Sequence, residues 1–570
     1  MKPTMQQLDT WLARLGSRAA FTWVFPLIWL LLNALQALAT ELFHDEAYYW
    51  MFSRQLSWVY AEHPPMIALW IRLGAGLLPG ELGVRLLPLL FNALAIHLIL
   101  RLFEPVARGW AGLMIASMVV AHVGGFFAAP DAPLAFFLAL FFVLWRSYLA
   151  EDRLSTALLL GLVVAAMLYS KYHGAMILFF SFWAWPRVAL RRSFWLLAAL
   201  AALLIAPLLY GLYQQQFGTF FFHLGDRVRK PWSLEFPANF LLGQLLLYGP
   251  LSGLALLPAA FAARSGDRFQ KSLKFSFVGV LAFLALMSFR AWIEANWSAG
   301  IFIPLLLLSW EYVRTRPRWR FWTLRLALPG LLLALGLRLH LVAPFVPGLN
   351  AIRNEVQGWE EWAGQIAAIA GGEPVAFTNS YARPSKYTFY TGKLAAPLNN
   401  FAYHGTQYEI WGYEDSLRGR DVWLFTGGYC LGCETVKTAT GQSFYYKRLR
   451  NFQSYQRVRI SGMPAKSAYA AGDTALLRLR LENGYPGPLL FQPDAEMPPA
   501  LGVHFLRDGG YFTSRDNLLP LSGLTLDDSL GVVLRVPLDL PPGEYEWICS
   551  VQTGWLFSTI NGSFGKLTLR

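Results

Sequence analysis

FTWVFPLIWLLLNALQALATELFHDEAYYW, residues 21–50, joins an apolar run to a cluster of acids and aromatics. The run is near the ~20 residues needed to cross a bilayer core. The chain then places His44, Asp45 and Glu46 at the water boundary, and the same loop ends in AEHPP, with Glu62 and His63. Ser, Gly and Lys would serve an ordinary loop. Ionisable groups at that depth are costly unless paired or hydrated, so their presence marks a functional site.

Working outward, the chain of 570 residues is 55% hydrophobic and 15% charged, against roughly 25% charged in soluble domains. Apolar runs recur near 21–40, 82–103, 110–128, 133–150, 154–170, 174–190, 194–213, 238–262, 275–289, 297–312 and 321–341, which predicts a polytopic α-helical membrane protein of about eleven spans. With the N-terminus inside, the cytoplasmic segments hold about 19 Lys and Arg and the opposite short loops about 7, the asymmetry the positive-inside rule requires. The net charge of +13 is then mostly topological, and a nucleic-acid partner is excluded. Residues 2–18 carry Lys2, Arg14 and Arg18 before a run with no small-residue cleavage site close behind, which reads as a retained first span.

The same assignment gathers the unusual polar residues on the outer face, in 44–65, APDAP (129–133), SKYHG (170–174), HLGDRVRKPW (223–232) and RAWIEANW (290–297). Asp45, Glu46, Glu62 and Asp131 are the carboxylates, while Lys171, Arg227, Arg229, Lys230 and Arg290 are candidate phosphate partners, with Tyr172 beside them. His63, His173 and His223 are candidate donors or metal ligands. Acids and cations on one face suit transfer of a sugar from a lipid phosphate, in which a base deprotonates the acceptor and cations hold the leaving phosphate. Aromatic spacing in 47–60, and MIALWIRLGAGLL after Pro64–Pro65, predict two helices lying along the interface.

HDEAYYW…AEHPP, PDAPLAFF, SKYHG and EANW together resemble the bacterial branch of the dolichyl-phosphate-mannose protein mannosyltransferase superfamily, the GT-C class that includes aminoarabinose transferases acting on lipid A. The resemblance covers roughly residues 20 to 430. It implies an inverting glycosyltransferase that moves a sugar from polyprenyl monophosphate to an envelope acceptor (lipid A, another glycan or protein) at the outer face of the bacterial inner membrane. Carried over residue by residue, Asp45 is the general base or the acceptor-positioning carboxylate, Glu62 the acid of the acidic-X-PP motif, and Asp131 the later loop acid. Lys171 matches a basic residue near the donor phosphate, and His63 stands where lipid A transferases tend to have Lys. Some relatives hold a divalent metal; Glu62, His63 and His223 are the candidate ligands here, without HExxH-type spacing. The rival reading is a transporter or flippase for a lipid-linked glycan, which should show mid-span charges and repeated halves. A scaffold anchored by its membrane part needs only one or two spans.

Three domains follow: 1–341 catalytic and membrane-embedded, 342–448 a small periplasmic α/β domain, and 449–570 an immunoglobulin-like β-sandwich. Residues 353–369 read as an amphipathic helix, and EPVAFT (373–378) and RDVWLF (420–425) as buried strands. Tyr381, Arg383, Lys386 and Tyr408 sit in its loops as possible acceptor contacts. Beyond 450, alternating segments separated by turn signals carry the sandwich pattern. Cys430-Leu-Gly-Cys433 reads as a structural disulfide or two free thiols, because no βαβ context supports redox chemistry. Cys549 reads as sandwich core.

Overall fold

A computed structural model describes residues 5–215, 233–400, 403–428, 430, 432–464, 466, 468–493, 498–508, 510–553 and 559–570. They form two compact units, one running to Gln357 and the other from Gly358 onward.

The first unit is helical: α1 (Met5–Ser17), α2 (Phe21–Ala39), α3 (His44–Arg54), α4 (Met66–Leu77), α5 (Gly80–Leu102), α6 (Arg108–Ala116), α7 (Val119–Phe126), α8 (Asp131–Ala150), α9 (Leu154–Ser170), α10 (Gly174–Trp183) and α11 (Arg192–Gln214). Helices at Glu235–Leu247, Gly253–Ala262, Arg268–Ser288, Phe302–Val313 and Pro317–Val342 follow. Every expected apolar run holds helix, but not always as one straight span. Among the described residues six helices are long and apolar enough to cross a membrane, or seven if the pair 105–116 and 119–126, bent by 77°, counts as one. The 238–262 run is two helices broken at 248–252. At 1.5 Å per residue a helix the length of α10 reaches only about half of a ~30 Å core, so such segments complete a crossing only together with their neighbours.

Where helices meet closely the sequence supplies glycine. A Cβ on Gly16 of α1 or on Gly109 of α6 would run into the backbone of the other helix. α3 covers only the first half of the 47–60 stretch, the chain leaving the helix at Gln55, and α4 occupies the second expected stretch.

The second unit begins with a mixed sheet of β1 (Val375–Thr378), β2 (Ala395–Leu398), β3 (Val422–Thr426), β4 (Glu434–Lys437) and β5 (Ser443–Leu449), in the order β2-β1-β3-β5-β4. β1 is parallel to both β2 and β3, and β5 runs antiparallel to β3 and β4. One face buries Trp362, Phe377, Tyr387, Phe425 and Phe444, beneath the helices Trp359–Ala370 and Ala382–Thr391. The opposite face buries Ala376, Leu398, Leu424 and Phe452. The first helix starts at Trp359, later than the amphipathic pattern from 353, because Gly358 takes a left-handed φ of 84° just before it. Cys430 and Cys433 form a disulfide in the loop after β3.

Two further sheets share one core. Strands 510–520, 500–507, 543–552, 565–569 and 468–469 form one, and 529–537, 474–482 and 459–464 the other. Leu477, Leu479 and Leu481 alternate inward from Thr474–Glu482 and meet Val503, Phe505, Cys549 and Val551 from the facing sheet. This period-two pattern made the region readable from sequence.

One buried acid gives this unit a pH signature. Glu414 is buried beside Ser454, Asp415 and Glu409, and burial pushes its pKa from 4.5 up to about 8, with the two neighbouring acids adding to the rise. The folded state therefore holds a proton that the unfolded chain releases first. The stability this proton confers is complete below pH 4.5 and is lost as the pH climbs towards 8. Thermal unfolding of the wild type should lose stability across that window more steeply than Glu414→Gln, whose neutral amide removes the dependence.

Candidate functional site

The boundary loop is organised by a fully buried ion pair. Glu46 lies in the first turn of α3, and its Oε2 accepts from the Phe43 backbone N–H (2.9 Å), one of the donors an α-helix leaves unpaired at its start. Arg85 of α5 grips the same carboxylate with Nε on Oε1 (2.8 Å) and Nη2 on Oε2 (2.5 Å), both side chains being 0% exposed. The remaining guanidinium donors reach the carbonyls of Ala37, Thr40 and Glu41 at 2.8–2.9 Å, where α2 ends. Oε1 of Glu46 also accepts from Ala128 N–H (2.8 Å), three residues before Asp131. One ion pair thus closes the end of α2, the start of α3 and the approach to α8. With four hydrogen bonds on its two oxygens, Glu46 has no lone pair placed to take a proton from a substrate.

Asp45, one residue earlier and 100° round the helix, is half-exposed. Asp131 opens α8 and is 23% exposed; both its oxygens accept from Lys171 Nζ at 2.8 Å, and that lysine, at the end of α9, is 5% exposed. Glu62 Oε1 accepts from Tyr48 Oη (3.0 Å), and the His63 ring packs edge-on against Tyr49. The loop carrying Glu62 is pinned by Tyr60, whose buried hydroxyl donates towards the Phe52 and Gln55 carbonyls (3.0 Å each) and accepts from Ser57 N–H. Its Val59 packs with Leu208 and Leu212, against which Tyr169 and Tyr172 also lie. His173 stacks obliquely on Trp297. Contacts therefore bring together four of the five polar loops, at 44–65, 128–133, 170–174 and 295–297.

Arg227, Arg229, Lys230 and His223 lie outside the described residues. Arg290 is exposed after the helix Arg268–Ser288, and no ion pair among the described residues joins it to Asp131. No group of three His, Cys, Asp or Glu side chains among the described residues is arranged to hold a metal, and Glu62 and His63 turn to different aromatic partners. Arg85 is the residue that sequence reasoning missed. A charged residue within the apolar 82–103 run was the available signal, and Arg338 in 321–341, which is buried and donates to Asn33, is another.

Asp131 is also the one ionisable residue lining an apolar cavity of about 80 Å³, walled by Ile96 of α5, Ile115 of α6, Val120 of α7, Leu138 of α8 and Phe302.

Residues 62–210 match the family model described as dolichyl-phosphate-mannose-protein mannosyltransferase. This stretch contains Glu62, His63, Asp131, Lys171 and Tyr172, whereas Asp45, Glu46 and Arg290 lie beyond it. The lipid A galacturonosyltransferase RgtD of Rhizobium johnstonii is 29% identical over 301 residues, which is 48% of this chain and 62% of that protein's length. ArnT from Cupriavidus metallidurans, solved in the apo state and bound to undecaprenyl phosphate, superposes with a TM-score of 0.56 at 14% identity, covering 75% of this chain and 98% of ArnT. The matched segment thus sits in a multi-pass helical membrane protein that shares the fold of ArnT.

Within that fold the Glu46–Arg85 pair is the element most exposed to disruption. Arg85→Ala strands a buried carboxylate and reopens the end of α2, so the purified protein should lose about 3–5 kcal/mol of stability, read as a lower melting temperature in detergent. Arg85→Lys keeps the charge but not the planar fork and should fall between the two.

Proposed function

We propose that the chain is an inverting glycosyltransferase that takes a sugar from a polyprenyl-monophosphate donor and places it on a cell-envelope acceptor at the outer face of the bacterial inner membrane. The observation that carries this reading is the position of Asp131. It lines an apolar cavity and is bound by Lys171, so an acid and a cation meet where an apolar wall ends. A polyprenyl phosphate has that same division between apolar chain and charged head.

In this reading Asp45 is the base. The acceptor hydroxyl gives its proton to the Asp45 carboxylate, its oxygen bonds to the sugar carbon from the face opposite the phosphate, and the carbon–phosphate oxygen bond breaks. The phosphate leaves with the electron pair, and Lys171, with Arg290 or a cation of the 223–232 loop, compensates its charge. Asp131 orients Lys171, and Glu46 acts as a positioning residue through Arg85. Tyr172, Glu62 and His63 border the sugar and the acceptor. The N-terminus is cytoplasmic and the residues beyond 341 are periplasmic, as an α/β domain to 448 and a sandwich to 570. The match to a lipid A galacturonosyltransferase makes lipid A the first acceptor to test and a uronic acid the first sugar.

The test is sugar release from labelled polyprenyl-monophosphate sugars in the presence of envelope extract. Wild type should transfer label to one acceptor, and folded Asp45→Asn should lose about 10²–10⁴-fold in rate, the usual worth of a general base. Lys171→Met should fall comparably, whereas Glu62→Gln should lose less. Wild-type turnover by Asp45→Asn would remove it as the base. Silence of every protein across the panel, with movement of lipid-linked glycan between leaflets in liposomes, would establish the transporter instead.

A further inference from the structure

The second unit has a polar strand edge of its own. Its three parallel strands finish in near-matching words, VAFTNS (375–380), AAPLNN (395–400) and WLFTGG (423–428), apolar within the sheet and then small and polar. The chain leaves β1 towards β2 on one side and leaves β3 towards β4 and β5 on the other. The carboxyl ends of β1 and β3 therefore flank a switch point, where open α/β sheets bind their ligands.

The groups gathered there are hydrogen-bonding ones. Thr378 Oγ1 donates to Thr426 Oγ1 (2.8 Å) across the two strand ends, and Gly428 N–H donates to the same Thr426 oxygen (3.2 Å). Asn379, in a left-handed conformation (φ 48°), accepts from the Asn400 N–H (3.0 Å) and donates to its side chain (3.1 Å), joining the ends of β1 and β2. Above them lies Arg383. Its guanidinium carbon is 4.8 Å from the centre of the Phe444 ring, and Gly427 leaves its flank open, since a Cβ there would lie 3.6 Å from both Nη atoms.

Arg383 has no carboxylate in an ion pair among the described residues, and the charged-group neighbour acting on it is Tyr403. Other buried guanidinium and ammonium groups have polar partners: Arg85 has Glu46, Lys171 has Asp131 and Arg338 has Asn33. Burial holds the pKa of Arg383 below the ordinary arginine value, a cost that stacking on one phenyl ring only partly offsets. Tyr381 and Tyr403, each in ring contact with His404, stand beside it.

We propose that the carboxyl edge of β2–β1–β3 binds a saccharide carrying one oxyanion, a carboxylate or a phosphate, with Arg383 on the anion and the Thr378, Thr426 and Asn379 polar groups on the sugar hydroxyls. A planar fork with an open flank matches an oxyanion. Hydroxyl and amide groups that both donate and accept match a sugar. The Cys430–Cys433 disulfide restrains the loop that leaves this edge. The assignment is independent of the transferase reading, because none of these residues belongs to the helical unit.

The test is ligand-observed NMR on the full chain in nanodiscs, titrated with glucuronate, glucose 6-phosphate, glucose and inorganic phosphate. Glucuronate or glucose 6-phosphate should bind at least tenfold more tightly than either glucose or phosphate, and which of the two binds identifies the anion. Arg383→Gln should weaken that binding roughly tenfold or more, as expected for loss of a charge-assisted bidentate contact. Gly427→Ala, which keeps the guanidinium and its ring contact but puts a methyl on the open flank, should weaken it too. It guards against Arg383→Gln simply failing to fold, which circular dichroism would reveal. Asp45→Asn should bind as wild type does, separating this edge from the membrane site. Equal signals from all four probes, phosphate binding as tightly as the sugars, loss of binding in Asp45→Asn, or folded Gly427→Ala with wild-type affinity would each overturn the proposal.

Discussion

The helical unit depends on the cost of burying charge. Glu46 and Arg85 are both removed from water, and an isolated ion in that position would be worth several kcal/mol of destabilisation. The structure offsets this by satisfying the whole pair: the carboxylate accepts four hydrogen bonds, and the guanidinium gives its donors to the carboxylate and to carbonyls at the end of α2. Those carbonyls and the Phe43 N–H are groups that helix ends leave unpaired. The ion pair therefore solves two problems at once, and in doing so fixes where α3 begins. Because Asp45 is the neighbouring residue, its position follows from that constraint.

The Asp131–Lys171 pair works on the same principle in a wetter place. Its aspartate is partly exposed and its lysine nearly buried, so the pair has one side towards the helices and one open to what enters the cavity. In the proposed transfer, preorganised charge at such a boundary needs little rearrangement when a phosphate arrives. The loop of Glu62 is held by Tyr60 and Val59, and Glu62 itself accepts from Tyr48.

The second unit shows a different use of the same residue types. Its sheets are held by aromatic and aliphatic packing, and its buried polar groups are concentrated at edges and connections. Glu414 remains protonated where it is enclosed, while Arg383 stays charged beside an open glycine. The difference is one of access: a group sealed from water sheds its charge when it can, and a guanidinium cannot.

Much of this was legible in the chain. Apolar runs, the Lys/Arg asymmetry and period-two alternation are local patterns, so the membrane helices, β1, β3 and the two-sheet region could be read residue by residue. HDEAYYW and AEHPP could be singled out as a candidate site because acids at a membrane boundary are costly. What the sequence alone could not assign was which acid does what. Glu46 and Asp45 are adjacent and look alike, and only a partner 39 residues away, Arg85, makes one structural and leaves the other half-buried. Lys171 meets Asp131 across 40 residues. The bend between α6 and α7 likewise belongs to the packed structure, since composition reports that a segment is apolar but not that it runs straight. Propensity and periodicity are properties of neighbours in sequence. The roles of charged groups are set by neighbours in space, and those came only with the tertiary fold.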